Sequence, residues 1–306
     1  MAAARRVAYF NGQFMPEREV CVPFRDLSSL RGYGAFDLTR TFHGRPFRLK
    51  EHVQRLYRSL RYLDIDCGLA FDEMMALSLE TLERNRHLLT DREDYWIGQR
   101  ISAGVQAIGD EGWEHTGPNV IIECCPLPIA KRARLFRDGI KVVTPATPRT
   151  SARALSPRAK MNQYLNMILA GNDVKRVDPQ AWALLLDENG NLAEGEGNNI
   201  FLVCDGVLMT PRAHNILPGI SRATVIEIAG SLGIEVRETD LDLYDAAIAD
   251  EMFIASTSLC ICPVSSFNGR KIGTGVPGPV TARLVSAYID MAGCDFVQQH
   301  LSWLES

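Results

Sequence analysis

The stretch Asp187-Glu-Asn-Gly-Asn-Leu-Ala-Glu194-Gly-Glu196-Gly-Asn198-Asn199-Ile200-Phe201 decides how this 306-residue chain reads. Asn189-Gly190 is a hairpin signal. An acidic loop follows, with glycine on both sides of Glu196, and it runs into the strand-like Ile200-Phe201. Glycine lets backbone come close to a flat ligand. Glu194 and Glu196 stand either as carboxylates beside such a ligand or as ordinary solvated loop charges, and the stretch alone leaves both open.

Working outward, hairpin signals recur at Asn11-Gly12, His43-Gly44, Asp205-Gly206 and Asn268-Gly269, each flanked by short apolar or β-branched runs. Helical stretches lie between them. Over 49–64, Val53, Leu56, Tyr57, Leu60 and Leu63 fall on one stripe at helical spacing, and 71–86, 161–176, 219–232 and 279–292 read the same way. Strands and helices mix without regular βαβα alternation, so the expected class is α+β. A strand-like run over 120–124 enters Cys125-Pro-Leu-Pro-Ile-Ala-Lys-Arg-Ala-Arg134, and a new strand begins at Ile140. This pattern predicts a small lobe over 1–124, a linker over 125–135 and a larger lobe over 136–306, with a cleft between the lobes.

Three further elements carry chemistry. Lys160 lies in Ser156-Pro-Arg-Ala-Lys160-Met-Asn-Gln-Tyr164, where an irregular segment enters an amphipathic helix. A lysine there can lose hydration, lower its pKa and form a Schiff base, although a solvated lysine is the commoner case. Ile216-Leu-Pro218-Gly219-Ile220-Ser221-Arg222 is a tight turn into a helix, whose first N–H groups and dipole suit a phosphate. Ordinary capping explains the same residues. Ser256-Thr257-Ser258 is a hydroxyl-rich strand end able to complete a phosphate cup. A carboxylate at Glu194 can also keep a pyridine nitrogen protonated, as pyridoxal phosphate (PLP) requires.

Other classes fall away. A net charge of −4 leaves no basic footprint for nucleic acid, and no run approaches the roughly 18 apolar residues of a membrane span. The start of the chain reads as a strand and not a signal peptide. The eight cysteines form no zinc pattern and read as buried reduced thiols, so no metal and a cytoplasmic location are expected. Gly273-Thr-Gly275-Val-Pro-Gly278 matches a dinucleotide-loop expression, but too little chain follows for the βαβ unit that motif needs. It reads as a loop feeding the last helix.

Taken in order along the chain, these elements resemble the class IV (fold-type IV) PLP-dependent aminotransferases. That family includes branched-chain, D-amino acid and (R)-amine transaminases and aminodeoxychorismate lyase. The resemblance is strongest over Leu192–Phe201, Leu217-Pro-Gly-Ile-Ser-Arg222 and Ser256-Thr-Ser258. It extends to Tyr33-Gly-Ala-Phe36-Asp37 and Phe47-Arg-Leu-Lys-Glu-His52-Val-Gln-Arg55-Leu56. It implies two α+β lobes with PLP in the interlobe cleft, and a homodimer. Lys160 would carry the cofactor and shuttle a proton. Glu194 would face the pyridine nitrogen, and Tyr164 would lie near the ring hydroxyl. Arg55, Gly219, Ile220, Ser221, Ser256 and Thr257 would surround the phosphate. The expected reaction moves an amino group from a small-molecule donor to a 2-oxo acid by a ping-pong scheme.

A transaminase for amino acids needs a fixed cation for the α-carboxylate. Arg31, in Leu30-Arg-Gly-Tyr-Gly-x-Phe-Asp, and Arg100 resemble the carboxylate-gripping pair of a less usual group of D-amino acid transaminases. The reading therefore favours a D-amino acid donor. Branched-chain L-amino acid and (R)-amine donors are the rivals, and a PLP lyase is the further alternative.

Overall fold

The computed structural model describes residues 6–109 and 112–305. The start of the first predicted strand, 1–5, lies outside the described residues. The fold divides into two compact units. One holds the chain through Leu127 together with Ala159–Gln163, and the other holds Pro128–Arg158 and the chain from Tyr164 onward.

The first unit contains strands β1 (Val7–Phe10), β2 (Gln13–Pro16), β3 (Gly34–Phe42), β4 (Arg45–Pro46), β5 (Tyr95–Ser102), β6 (Val105–Gly109), β7 (Gly112–Thr116) and β8 (Val120–Pro126). Its helices are α1 (Leu27–Arg31), α2 (Leu49–Tyr62) and α3 (Phe71–Arg86). Six strands form an antiparallel sheet in the order β2-β1-β8-β5-β3-β4, and β6-β7 is a separate hairpin. The apolar stripe read from the sequence is the face α2 buries. Val53, Leu56 and Leu60 pack with Met74 and Leu82 of α3 against Ile97, Ile101 and Ile122 of the sheet. Fully burying each such side chain contributes on the order of 1.5–3 kcal/mol, so this core fixes which residues of α2 and β3 are left for chemistry.

The second unit contains α4 (Ile129–Asp138), β9 (Ile140–Val143), α5 (Leu165–Val177), β10 (Trp182–Ala183), β11 (Glu194–Gly195), β12 (Asn198–Cys204), β13 (Val207–Pro211), α6 (Ile220–Ser231) and β14 (Val236–Thr239). It continues with α7 (Leu243–Ile248), β15 (Glu251–Ser256), β16 (Cys260–Phe267), β17 (Arg270–Lys271), α8 (Pro279–Ala292) and α9 (Phe296–Leu301). A mixed sheet runs β10-β9-β16-β15-β12-β13-β14, with β11 paired to β12 and β17 to β16. Its central strands β12 and β15 are buried almost throughout, as expected of strands covered on both faces.

Four of the hairpin signals make two-residue turns with positive φ at both positions: Asn11-Gly12, His43-Gly44, Asp205-Gly206 and Asn268-Gly269. At Asn189-Gly190 only the glycine is left-handed. There the Asp187 carboxylate accepts from the Asn189 and Asn191 N–H groups and shapes a wider turn. Residues 129–138, part of which fell in the expected linker, form helix α4. The helix expected from 161 begins at Leu165. The reason is local: Lys160–Asn162 runs alongside β3, with Phe36 N–H donating to Lys160 C=O and Asn162 N–H to Gly34 C=O. The glycine-rich 273–278 loop does feed the last long helix, and its anion site is filled. Val280 and Thr281 N–H groups at the start of α8 donate to the Glu251 carboxylate at 2.8 and 2.7 Å. Two cysteines expected to be buried, Cys21 and Cys125, are exposed.

Candidate active site

In the first unit the chemistry gathers on β3, α2 and the strand-like Ala159–Gln163. The face of α2 next to its apolar stripe presents Arg55 inward, while Arg58 and Arg61 further along are exposed. Arg55 is only 3% exposed and lies against Asp37 of β3, which is fully buried. Its Nε donates to Asp37 Oδ2 at 2.8 Å and its Nη2 to Oδ1 at 2.7 Å. His52, one turn earlier, contacts the same carboxylate through Nδ1 at 2.7 Å. Burial opposes ionisation of Asp37, but the Arg55 guanidinium and His52 outweigh it and hold the carboxyl below the usual range. Burial also holds His52 below the ordinary histidine range, against the pull of Asp37. The sequence named Arg55 and missed Asp37 and His52. The signal was available: alternation on β3 and the (i, i+3) spacing on α2 put all three on facing surfaces.

Lys160 is fastened to the same two elements through its backbone. Its N–H donates to Ser59 Oγ at 2.9 Å, and Ser59 Oγ donates to the Arg55 carbonyl. The Lys160 carbonyl accepts from Phe36. The side chain is half-buried, with Nζ 4.5 Å from the centre of the Phe36 ring. Arg100 of β5 is the direct cross-strand neighbour of Phe36, and its guanidinium lies 5.7 Å from the same ring. The structure therefore brings Lys160 and Arg100 to one aromatic side chain. Arg100 Nε is engaged at 2.6 Å by the Glu123 carboxylate. Arg31, at the end of α1, is exposed and offers its carbonyl to Gln163.

In the second unit, Glu194 is 4% exposed. Pairing of β11 with β12 sets Glu194 opposite Asn199. One carboxylate oxygen accepts from Arg149 Nε at 3.1 Å and the other from the Leu217 N–H at 2.9 Å. A buried carboxylate with two donors is held in one orientation. Arg149 is a further residue the sequence reading missed, because nothing near it in the chain announces the contact.

The start of α6 has Gly219 as its N-cap, with no side-chain cap. A Cβ at Gly219 would run into Asn199 Oδ1, whose amide group donates to the Leu217 carbonyl. Gly219 is therefore where a bare backbone is needed. Ile220 and Ser221 are buried in the first turn, where backbone N–H groups have no intrahelical acceptor. Arg222 is not part of this anion cradle. It is buried and bonded to Glu238, the Pro211 carbonyl and Thr210. Ser256 Oγ accepts from the Leu259 N–H and so closes the turn after β15, with Thr257 half-buried beside it. Tyr164 caps α5 and packs on the cluster of Met167, Ala170 and Leu185.

These features fit PLP on their own terms. A fixed lysine, a buried carboxylate aimed by two donors and an uncapped helix start whose glycine admits no Cβ match its aldehyde, pyridine nitrogen and phosphate.

Comparison with known proteins agrees. Residues 34–267 match the amino-transferase class IV family. The chain is 37% identical over 284 residues to a putative branched-chain-amino-acid aminotransferase of Methanocaldococcus jannaschii, covering 92% of this chain and 95% of that one. It is 29% identical to the D-alanine aminotransferase of Listeria monocytogenes over 92% of this chain and 94% of that one. Among solved structures, the Escherichia coli branched-chain amino acid aminotransferase superposes with a TM-score of 0.85 at 30% identity, covering 94% of each chain. The branched-chain amino acid aminotransferase of Thermobaculum terrenum, in its PLP form, superposes with a TM-score of 0.82 at 26% identity, covering 98% of each chain. With the match spanning most of the sequence and nearly every element of the fold, this chain belongs to the class IV aminotransferase family.

Proposed function

We propose that this aminotransferase takes its amino group from branched-chain L-amino acids and passes it to a 2-oxo acid, using PLP carried on Lys160. The observation that carries the donor assignment is the run of branched-chain aminotransferases among its relatives at up to 37% identity. It replaces the D-amino acid donor favoured by Arg31 and Arg100. Arg31 is exposed, and Arg100 already has the Glu123 carboxylate as partner, so the two do not form an open carboxylate grip.

When bound, PLP supplies the electron sink that makes the donor Cα–H acidic. The chain's own residues do the rest. Lys160 Nζ, beside the Phe36 ring, would take the proton from the donor Cα and deliver it to the former aldehyde carbon of the cofactor. On the acceptor half it would move a proton from that carbon to the Cα of the new amino acid. Glu194, aimed by Arg149 and the Leu217 N–H, holds a proton on the ring nitrogen. The Ile220 and Ser221 N–H groups, Arg55 and Thr257 take the phosphate. The Asp37 carboxylate and His52 keep Arg55 in one rotamer.

A homodimer belongs to the same reading. Leu165, Ile168 and Leu169 of α5 are exposed at helical spacing, which suits the face to a second copy. Among the described residues every cysteine is free and no helix is long and apolar enough to cross a membrane. We assign the enzyme to the cytoplasm on the cysteine chemistry.

The test is turnover of the cofactor-loaded protein with L-leucine, D-alanine and (R)-1-phenylethylamine, each with and without a 2-oxo acid. L-leucine with an absolute need for the oxo acid is the expected result. D-alanine as the sole fast donor would move the assignment to the D-enzymes, a reading the Listeria relative supports. Turnover without an acceptor would make the protein a lyase.

A further inference from the structure

Lys160 stands in Ala159–Gln163, a short stretch of the first unit whose chain neighbours on both sides, Arg158 and Tyr164, belong to the second. Bonds to β3 and α2 set its position. Phe36 N–H donates to Lys160 C=O at 3.1 Å, Asn162 N–H donates to Gly34 C=O at 3.0 Å, and Met161 bridges Ala35. Gly34 admits this approach, because a Cβ there would meet Asn162 Nδ2 at 2.7 Å. The Lys160 N–H turns the other way and donates to Ser59 Oγ at 2.9 Å. A serine in a helix often gives its hydroxyl proton to the carbonyl four residues back, and Ser59 does so at Arg55, at 3.0 Å. The same oxygen accepts from Lys160, 101 positions away in the chain, so the hydroxyl works as donor and acceptor at once. Ser59 is 1% exposed. The contacts close a circuit. Asp37 holds the Arg55 guanidinium at 2.7 and 2.8 Å, the Arg55 carbonyl holds Ser59, Ser59 holds Lys160, and Lys160 holds Phe36, the chain neighbour of Asp37.

We propose that Ser59 is a positioning residue for the reaction, its hydroxyl setting where the Lys160 side chain starts relative to Arg55. This inference rests on the roles given above to Lys160 and Arg55 and deepens them. A lysine side chain is a flexible four-carbon stem, so its amine reaches a defined point only when the backbone beneath it is fixed. Lys160 and Arg55 are to meet two ends of one rigid ligand, its aldehyde and its phosphate. The span between them therefore matters to within about 0.5 Å. Ser59 touches the backbone of both. Without its hydroxyl the Lys160 N–H loses its acceptor, and the lysine backbone is free to shift away from α2. Asp37 still holds the Arg55 guanidinium. The phosphate end of the site stays in place while the amine end moves.

The experiment uses the full chain as wild type, Ser59→Ala, and the pair Ser59→Thr and Ser59→Val, which share a shape and differ in the hydroxyl. Each PLP-loaded protein is assayed for kcat and KM with L-leucine and for visible circular dichroism of the bound cofactor. Each is also titrated, free of PLP, with pyridoxamine phosphate, which forms no bond to lysine. The expected result is a fall in kcat of about tenfold or more in S59A and S59V, as a small displacement of a reacting group costs. Altered dichroism accompanies it, with KM and the Kd of pyridoxamine phosphate kept, and S59T stays near wild type. A serine with a merely structural role would lower the melting temperature and leave kcat alone. Wild-type kcat in S59A, equal kcat in S59T and S59V, or a Kd for pyridoxamine phosphate that rises in step with the fall in kcat overturns the proposal. Failure of the underlying reading looks different: borohydride would fix no cofactor on Lys160 of the wild-type protein.

Discussion

The two units arrange their candidate cofactor residues in different ways. In the first, the work is done by side chains bonded to side chains. Asp37, His52 and Arg55 are all buried and share one carboxylate, and Lys160 is tied in through Ser59. In the second, backbone does most of it: the Leu217 N–H on Glu194, the uncapped start of α6 and a glycine that excludes a Cβ. A site built from buried charges is sensitive to the identity of every member. A site built from backbone is sensitive to shape and tolerant of side-chain chemistry. Substitutions should therefore have unlike consequences in the two units.

The largest effect belongs to the first unit. Lys160→Ala should abolish steady transamination, while circular dichroism and thermal melting stay close to wild type because the side chain is only half-buried. Appreciable turnover in that variant would remove Lys160 from its role. Next comes Glu194→Gln in the second unit, expected to lower kcat by roughly a hundredfold, as lost electrostatic stabilisers do. The same variant should bind PLP nearly as well, because the phosphate contacts lie elsewhere; an unaffected kcat would place the ring nitrogen away from Glu194.

Asp37→Asn sharpens the contrast further. It leaves Arg55 buried beside a neutral group, a loss of about 3–5 kcal/mol in chemical denaturation, and it should also weaken PLP binding as Arg55 loses its orientation. A stability within error of wild type would mean that the network is not coupled as described. In the backbone-built cradle, Gly219→Ala should cost about 1–3 kcal/mol in cofactor affinity through the collision with Asn199. Ser221→Ala, which keeps its N–H, should change that affinity by under about 1 kcal/mol. Equal effects of the two, measured by PLP titration, would erase the distinction between the units.

A pH dependence tests the buried network of the first unit in another way. His52 is held below its ordinary pKa by burial, so the unfolded chain binds a proton near pH 6.5 that the native chain refuses. Its contribution to stability is thus present above that pH and declines as pH falls below it, by up to about 1.4 kcal/mol per unit. Denaturation of wild type and His52→Asn at about pH 7.5 and about pH 5.5, either side of the ordinary histidine value, should show a steeper loss in the wild type. Parallel losses would mean that His52 is protonated in the fold.

What the sequence disclosed follows the same divide. Period and turn chemistry are local, so α2, α3, α6, α8 and four hairpins were legible from their own residues. Gly219 and Glu194 were singled out from residues adjacent to them in the chain, a tight turn into a helix and an acidic, glycine-flanked loop. Ser59 and Arg149 were not read, because each acts through a partner 101 or 45 positions away, and Asp37 and His52 were passed over although strand alternation and helical spacing marked them. The helix start at 165 instead of 161 has a similar cause, since pairing of Lys160–Asn162 with β3 outweighs helical periodicity. The D-amino acid reading was drawn from Arg31 and Arg100 without sight of a distant residue as well: Glu123, 23 positions on, bonds Arg100.

Lys160, anchored by β3 and α2, is the lysine proposed to bear PLP. Borohydride reduction of the PLP-loaded protein fixes any lysine–cofactor bond, and peptide mass spectrometry locates it. The expected result is one pyridoxyl group per chain, on Lys160, and none on that peptide if the protein is first given excess L-leucine. Modification at another lysine, or no fixed cofactor at all, would contradict it.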